Sequence, residues 1–286
     1  MIPKGGSRFS EKRSCSNKEL EVFAANRAFG RIAFEARANC GATRRWRLRE
    51  EGPLRLRCPG APSPELEAVI VNTAGGIVGG DRFELDVSVA AGARVIVTST
   101  AAEKIYRSLG PDAAIDVKLK VAAGASLAWL PQETILFNGA RLRRNVHIDV
   151  AQDARLIFAE AVVFGRPGMG EVMERGSLLD RWRIHRDGRI LHAEAVRLDG
   201  AIAARLAQGA AANGGGAIAT MLLVAADEAA ASAVRGKTFR GEVAASAWKG
   251  MMIVRLCARD GATLRGDLIT LLQTVRAEPL PRLLLN

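Results

Sequence analysis

Aromatic residues are scarce in this chain: Phe, Trp and Tyr make up 5 % of its 286 residues, and there is a single tyrosine. The core must therefore be built from Ala, Val, Leu and Ile. Cysteines are also few, and the four of them form no C-x-x-C pair and have no histidine nearby in the sequence: Cys15, Cys40, Cys58 and Cys257. That spacing argues against a zinc site and is typical of unpaired thiols in a reducing compartment.

Hydrophobic runs of the kind used in targeting are missing. Residues 1–20 are polar and charged without an apolar stretch, so we predict a flexible extension over residues 1–22 and no signal peptide. No apolar run approaches the roughly 20 residues that span a bilayer. We therefore expect a cytoplasmic protein without a membrane partner.

The chain is strongly basic, with a net charge of +11 and an isoelectric point near 10.2. Such a balance suits nucleic acid or an acidic partner. The arginines, however, alternate with other residues, as in Arg45, Arg47 and Arg49, and do not cluster with stacking aromatics. This pattern favours a solvated strand face, and we predict no nucleic-acid partner.

A strand–turn–strand unit recurs in the middle of the chain. Alternating segments such as residues 83–89 and 115–121 indicate strands with one buried face. They lead into turns that are spaced by 32, 29 and 34 residues, at Gly92, Gly124, Asp153 and Asp187. A unit of about 30 residues favours stacked, solenoid-like β layers over an ordinary β-sandwich.

The last third of the chain changes character. Asp227 can cap a helix that runs through Arg235, and apolar residues at helical spacing predict a second helix over 262–276. We therefore predict a mainly β protein with two helices in the C-terminal third, forming a single domain over residues 23–286.

The segment 72–81 reads N-T-A-G-G-I-V-G-G-D and predicts a tight, doubly bent loop, because glycine tolerates positive φ and close backbone approach. Asp81 at its end is free to bind nearby backbone amides. The loop is not a nucleotide P-loop, because Asp81-Arg82 stands where that motif needs Lys-Ser/Thr.

Side chains for nucleophilic catalysis or tight metal binding are not evident. There is no G-x-S-x-G motif. The three histidines, His147, His185 and His192, are not at ligand spacing. We interpret His185 as a surface residue at a strand end, whereas His147 is either solvated or functional.

Two carboxylates call for an explanation. Glu160 and Glu194 occupy the same place in consecutive repeats, in the strings F-A-E-A and H-A-E-A. By strand parity Glu160 shares a face with Phe158 and Val162, where an ionised acid costs several kcal/mol unless it is paired or hydrated. Either an arginine satisfies each carboxylate, or their face lines a polar interior path. A third alternative is an acid–base pair in a β-solenoid carbohydrate-active enzyme.

Four segments together resemble a known family. Residues 72–81, 102–108, 129–137 and 164–171 stand in the order and approximate spacing of urease accessory proteins of the UreD (UreH) type. The resemblance covers roughly residues 27–285, and Pro167-Gly168 departs from the usual small residues.

This resemblance implies a β-rich, non-enzymatic maturation factor. It would bind the urease apoprotein and UreF, and that complex would recruit the GTPase UreG so that nickel is placed in urease. No tightly bound cofactor is implied, although transient nickel binding is. A general protein-binding scaffold remains an alternative.

The resemblance and the patterns above select one set of candidate residues, which either face a partner or line an interior path. Three of them, Asp81, Glu160 and Glu194, are candidate weak nickel ligands, since a delivered ion must leave again. The full set comprises Gly75, Gly76, Gly79, Gly80, Asp81, Glu103, Lys104, Tyr106, Arg107, Gln132, Glu133, Glu160, Gly165, Arg166, Gly170, Glu171 and Glu194.

Overall fold

The computed structural model describes residues 27–61 and 63–285 of the chain. The predicted extension over residues 1–22 lies outside this part, as does Cys15. The single domain predicted over residues 23–286 stays a prediction. Cys40, Cys58 and Cys257 lie within the described part and are unpaired, as expected.

Seven of the described strands form a first sheet, with the order β15-β14-β11-β8-β5-β1-β2. In chain order these strands are β1 Phe29–Asn39, β2 Ala42–Glu51, β5 Arg82–Val89, β8 Ala113–Val121, β11 Arg141–Val150, β14 Arg175–Arg186 and β15 Arg189–Ala201.

A second sheet faces the first, with the order β17-β18-β16-β12-β9-β6-β4-β3. Its strands are β3 Leu54–Arg57, β4 Glu65–Asn72, β6 Arg94–Ser99, β9 Ser126–Trp129, β12 Arg155–Arg166, β16 Ala217–Val224, β17 Glu242–Trp248 and β18 Met251–Ala258. Three short strands join it through β12: β7 Glu103–Ile105, β10 Thr134–Leu136 and β13 Glu171–Val172.

The central strands stack as the coils of a solenoid. The strands β5, β8, β11 and β14 pair in parallel on one face, β6, β9 and β12 on a second, and β7, β10 and the end of β12 on a third. Turns at Gly92, Gly124 and Asp153 connect the first face to the second. The prediction of stacked β layers is confirmed.

The third face forms a ladder of buried apolar residues. Ile77 bridges to Ile105, which pairs with Leu136, which in turn pairs with Phe164. All four are buried, at 4 % exposure or less. Each belongs to a different one of the four segments that carry the family resemblance, so these segments are successive turns of one face.

The glycine loop, residues 72–81, packs tightly against the segment 104–111. Gly76 has φ +151°, and a Cβ there would lie 2.3 Å from the Tyr106 ring. The Tyr106 hydroxyl donates a hydrogen bond to the Gly75 carbonyl. The loop is therefore filled by side chains of the next coil, which confirms its predicted tightness.

The fourth predicted turn, at Asp187, does not continue the solenoid. Asp187 (φ +47°) and Gly188 (φ +74°) form a two-residue hairpin loop, and β14 and β15 pair antiparallel. Glu194 therefore lies in the first sheet and Glu160 in the second. The predicted equivalence of these two residues within a repeat is wrong, because an Asp-Gly hairpin resembles the solenoid turns in sequence.

The described residues contain four α-helices, all in the C-terminal third: α1 Ile202–Leu206, α2 Glu228–Arg235, α3 Gly261–Val275 and α4 Arg282–Leu285. The two predicted helices are α2 and α3. Asp227 caps α2 by accepting a hydrogen bond from the Ala230 amide at 3.0 Å, as expected. Both helices pack on the outer side of the second sheet. None of the described helices combines the length and the apolar character that crossing a bilayer requires.

Replacing Gly79 with Ala should lower the free energy of unfolding by about 1–3 kcal/mol through overpacking. Its φ is not positive, but an added Cβ would lie 1.9 Å from Ser108 Oγ and 2.4 Å from the Pro111 carbonyl oxygen. The matched control is Gly110→Ala in the same region, where an added Cβ would have no atom within 4 Å apart from its neighbours in the chain. Urea unfolding should show little change for the control, and equal stability of both variants would contradict the close approach.

Candidate functional site

A charged triad lies in the interior between the two sheets. Arg144 on β11 contacts Asp180 on β14 and Glu160 on β12, and the three side chains are 3 %, 5 % and 6 % exposed. Arg144 Nε donates to Asp180 Oδ1 at 3.1 Å, and its terminal nitrogens donate to the other oxygen of Asp180 and to Glu160. One buried guanidinium thus pairs with two buried carboxylates.

Two tryptophans complete the hydrogen bonding of the triad. The Trp129 indole donates to Glu160 Oε1 and the Trp182 indole to Asp180 Oδ1, each at 2.9 Å. Phe158 lies between the two indoles, stacked on Trp129 at 6.4 Å and edge-on to Trp182 at 4.8 Å between ring centroids. Buried indoles need an acceptor, so the aromatic cluster and the charged triad satisfy each other.

The triad carries more negative than positive charge when both carboxylates are ionised. Burial raises the pKa of Glu160, Arg144 lowers it in part, and Asp180 raises it further. Burial disfavours the charge of Arg144, but Asp180 and Glu160 outweigh this and raise the pKa of Arg144 above its usual value. Arg144 therefore stays charged, and Glu160 is the group on which a proton can balance the cluster.

A cavity of about 140 Å³ leads to the triad from one side. Its lining includes Asn72, Gly76 and Glu103, and Trp129, Thr134, Arg144 and Glu160 are also among its lining residues. A second, smaller cavity of about 20 Å³ is lined by Asp180, Glu194 and Thr220, together with Arg144 and Glu160. Arg144 and Glu160 therefore line both cavities, whereas Asp180 lines the smaller one.

Glu160 and Glu194 thus meet at one cavity even though their repeat equivalence fails. Arg255 forms an ion pair with Glu194, just as Arg144 does with Glu160. Each carboxylate has an arginine partner, as the first explanation expects, and both line the smaller cavity. A polar interior path stays a prediction.

The third alternative, a catalytic pair for polysaccharide cleavage, is not supported. Glu160 is buried with both oxygens bonded, to Trp129 and to Arg144. The cavity it shares with Glu194, about 20 Å³, accommodates little more than one water molecule and no sugar ring.

Glu103 is one of the lining residues of the larger cavity. Its carboxylate accepts from Asn72 Nδ2 at 2.9 and 3.1 Å, which ties β7 to the end of β4. Burial raises the pKa of Glu103 to about 7, although the Asn72 hydrogen bond lowers it in part. This carboxyl group therefore titrates near neutral pH.

Asp81 occupies a different position from the other two nickel-ligand candidates. It is buried, and its oxygens accept from the Ala28 amide at 2.8 Å and the Val78 amide at 2.9 Å. The expectation that it binds backbone amides is met. Asp81 lines neither of the two cavities, and we assign it to the structure of the loop.

Gln132 and Glu133 anchor the C-terminal helices and do not form an open recognition surface. Both accept hydrogen bonds from Arg265 on α3, and Gln132 Nε2 donates to the Leu283 carbonyl of α4 at 2.7 Å. This segment therefore holds the C-terminal helices against the solenoid.

The remaining motif residues surround the end of the third face. Lys104 and Arg107 are exposed, whereas Tyr106 packs edge-on against Phe137 with centroids 4.9 Å apart. Arg166 lies over the same ring and pairs with Glu171. Gly165 and Gly170 both have positive φ, as a tight return of the chain requires.

Sequence reasoning missed Arg144 and Asp180. The signal was present, because Arg144 shares strand parity with Leu142 and Val146 on an otherwise apolar inner face. Spacing along the sequence also gave no sign of a cluster formed by two of the histidines. Parallel pairing of β11 and β14 brings His147 and His185 together with Asp149.

Replacing Arg144 with Met should lower the free energy of unfolding by about 3–5 kcal/mol, because two carboxylates would remain buried without their cation. Glu160→Gln alone should lower it less, by about 1–3 kcal/mol, because Asp180 still pairs with Arg144 while the amide NH₂ must face one of two donors, the Trp129 indole or Arg144. Adding it to Arg144→Met should recover part of the loss. Denaturant unfolding of the three variants measures this coupling. An Arg144→Met protein as stable as the parent would contradict the ionic triad.

Glu103 should make stability depend on pH. Because its pKa is about 7 in the folded chain, the folded state holds a proton that the unfolded state releases above about pH 4.5. Stability should therefore fall as pH rises from about 4.5 to above 7, by up to about 3 kcal/mol. Thermal melts of Glu103→Gln should lack this component, whereas the exposed control Glu51→Gln should retain it.

Comparison with known proteins identifies the family. The family model described as UreD urease accessory protein matches residues 26–283. The chain is 53 % identical over 270 residues to the urease accessory protein UreD of Rhodopseudomonas palustris strain BisA53, covering 94 % of each chain. It is 50 % identical to UreD 3 of Bradyrhizobium sp. strain BTAi1 and to UreD of Bradyrhizobium diazoefficiens, covering 93 % of this chain and 96 % of each relative. The chain therefore belongs to the UreD urease accessory protein family.

Proposed function

We propose that this chain is a maturation factor for urease that acts as a scaffold and catalyses no reaction itself. It binds the urease apoprotein and UreF, and the resulting complex recruits the GTPase UreG for nickel insertion into the urease active site. Membership of a urease accessory family supports the role in maturation. The proposal places the chain in the cytoplasm, where its unpaired thiols remain reduced.

The glycine loop supports a role separate from that of the GTPase. A phosphate-binding loop leaves its backbone amides free to surround the ligand. Here the amides of Val78 and Ile77 are bonded to Asp81 and to the Lys104 carbonyl, and the Tyr106 ring closes over Gly76. GTP hydrolysis is therefore assigned to a partner.

The observation that carries the rest of the proposal is the triad between the two cavities. We propose that Ni²⁺, as cargo, passes from the larger cavity to the smaller one, in contact with Glu160 and Glu194. Carboxylate oxygens are weaker nickel ligands than imidazole or thiolate, which suits an ion that must be released. Asp180 lies beside Glu160 and adds a third carboxylate.

Passage would require two local changes. The smaller cavity, about 20 Å³, holds roughly one water molecule, so the ion must exchange most of its hydration shell for carboxylate oxygens. Arg144 must also leave Glu160, since guanidinium and cation compete for the same oxygen. The raised pKa of Glu160 allows a proton to leave as the cation arrives, which limits the change in buried charge.

A second candidate function is a general protein-binding scaffold. The strongly basic composition, with a net charge of +11, suits acidic partners of several kinds. This alternative needs no interior path, and the experiments below separate it from nickel delivery.

The maturation role is tested by the nickel content and activity of urease purified from cells with and without this chain, with the other accessory proteins present and urease levels matched. We expect abundant but nickel-poor urease when the chain is absent. Equal nickel content in both preparations would contradict the maturation role and favour the scaffold alternative.

The path is tested by the double substitution Glu160→Gln and Glu194→Gln, which should lower the nickel content of urease several-fold while co-purification with urease and UreF persists. The control is Glu51→Gln with Glu228→Gln, which removes two exposed carboxylates away from both cavities and should leave nickel content unchanged. If assembly fails in step with nickel content, the two glutamates are structural and the path is wrong.

A further inference from the structure

A cluster of potential metal ligands lies on the outer face of the first sheet, away from the interior triad. Parallel pairing places Asp149 of β11 opposite His185 of β14, and His147 lies two residues before Asp149 on the same face. One ligand atom from each of the three side chains lies within 4.8 Å of the others. His147 Nε2 is 3.4 Å from one Asp149 oxygen, and His185 Nδ1 is 3.8 Å from the other.

One of these atoms lacks a hydrogen bond. His185 Nδ1 is shielded from solvent and has no partner within hydrogen-bonding distance. A shielded polar nitrogen without a partner costs free energy. The carboxylate beside it is too distant for a hydrogen bond but lies at the separation expected for two ligands of one ion.

We propose that His147, Asp149 and His185 bind one divalent transition-metal ion of the class that favours imidazole, namely Ni²⁺, Cu²⁺ or Zn²⁺. Small rotations of the three side chains, which are partly exposed, would bring their ligand atoms to about 2.0–2.2 Å from a common ion. Two imidazoles and one carboxylate disfavour Mg²⁺ and Ca²⁺, which prefer oxygen ligands. Coordination positions on the ion that these three side chains do not fill are open to water or to a ligand from another molecule.

The surrounding charges set the strength of this site. Lys120 lies opposite Asp149 on β8, and His147 has Lys118 opposite on β8 and Arg183 opposite on β14. These cations oppose a bound dication, so the site favours reversible binding over permanent storage.

The outer site is separate from the proposed nickel path. On β11, Arg144 is buried on the inner face, whereas His147 is exposed on the outer face. The inference therefore does not rest on the proposed function, and binding to the isolated chain tests it without urease.

The experiment is a calorimetric titration of the full chain with NiCl₂, using protein purified without a polyhistidine tag. We expect His147→Gln and His185→Gln each to lower the affinity for one equivalent of Ni²⁺ by at least about tenfold. The control Lys118→Gln changes a residue of the same face that is not a ligand, and it should bind Ni²⁺ as tightly as the parent or more tightly. Circular dichroism melts confirm that the variants are folded.

Electron paramagnetic resonance of the Cu²⁺-loaded parent chain gives a second readout, which does not depend on whether the variants fold. It should show coordination by two imidazole nitrogens, and each single variant should show one. A parent spectrum without imidazole nitrogen, or a double variant His147→Gln with His185→Gln that retains the parent affinity for Ni²⁺, would overturn the proposal.

Discussion

A single buried guanidinium connects the three faces of the solenoid. Arg144 extends inward from the first face, binds Glu160 of the second, and lies 3.4 Å from the Thr134 hydroxyl of the third. Its second carboxylate, Asp180, comes from the next coil of the first face. Because an unpaired buried charge is so costly, only the register that brings all these groups together is acceptable, and the stacking of β10, β11, β12 and β14 depends on it.

The same arrangement gives the interior its chemical character. An apolar solenoid core would exclude water and ions, but here two carboxylates, one guanidinium and two indoles line the space between the sheets. Such a polar network adds less stability than a well-packed apolar core would, so its presence calls for a reason beyond folding. Exchange of a proton and a cation at Glu160 is one such reason, and it depends on the cavities that flank the triad.

Local sequence patterns predicted much of the fold. Period-two alternation and regular turn spacing predicted the stacked layers, a cap predicted α2, and the helical spacing of apolar residues predicted α3, because these signals act over a few residues. Long-range pairing could not be predicted in the same way. Asp187-Gly188 looks like the turn at Gly92 but forms a hairpin, and only the parallel register of β11 with β14 brings Asp149 next to His185. Glu160 was identified because alternate residues of a strand share one face and its neighbours on that face are apolar. The same reasoning applies to Arg144, which was missed.

The family resemblance and the charged triad rest on different residues, although the larger cavity is lined in part by the segments that carry the resemblance. The four segments that carry the resemblance build the third face, through Ile77, Ile105, Leu136 and Phe164, and the glycine loop packed before it. The charged triad lies outside all four segments, at residues 144, 160 and 180. A substitution in the third face therefore perturbs the packing of the solenoid, whereas Glu160→Gln alters the interior charge and leaves the apolar ladder of that face unchanged. Nickel loading that responds to the second kind of change alone is what distinguishes a conduit from a scaffold.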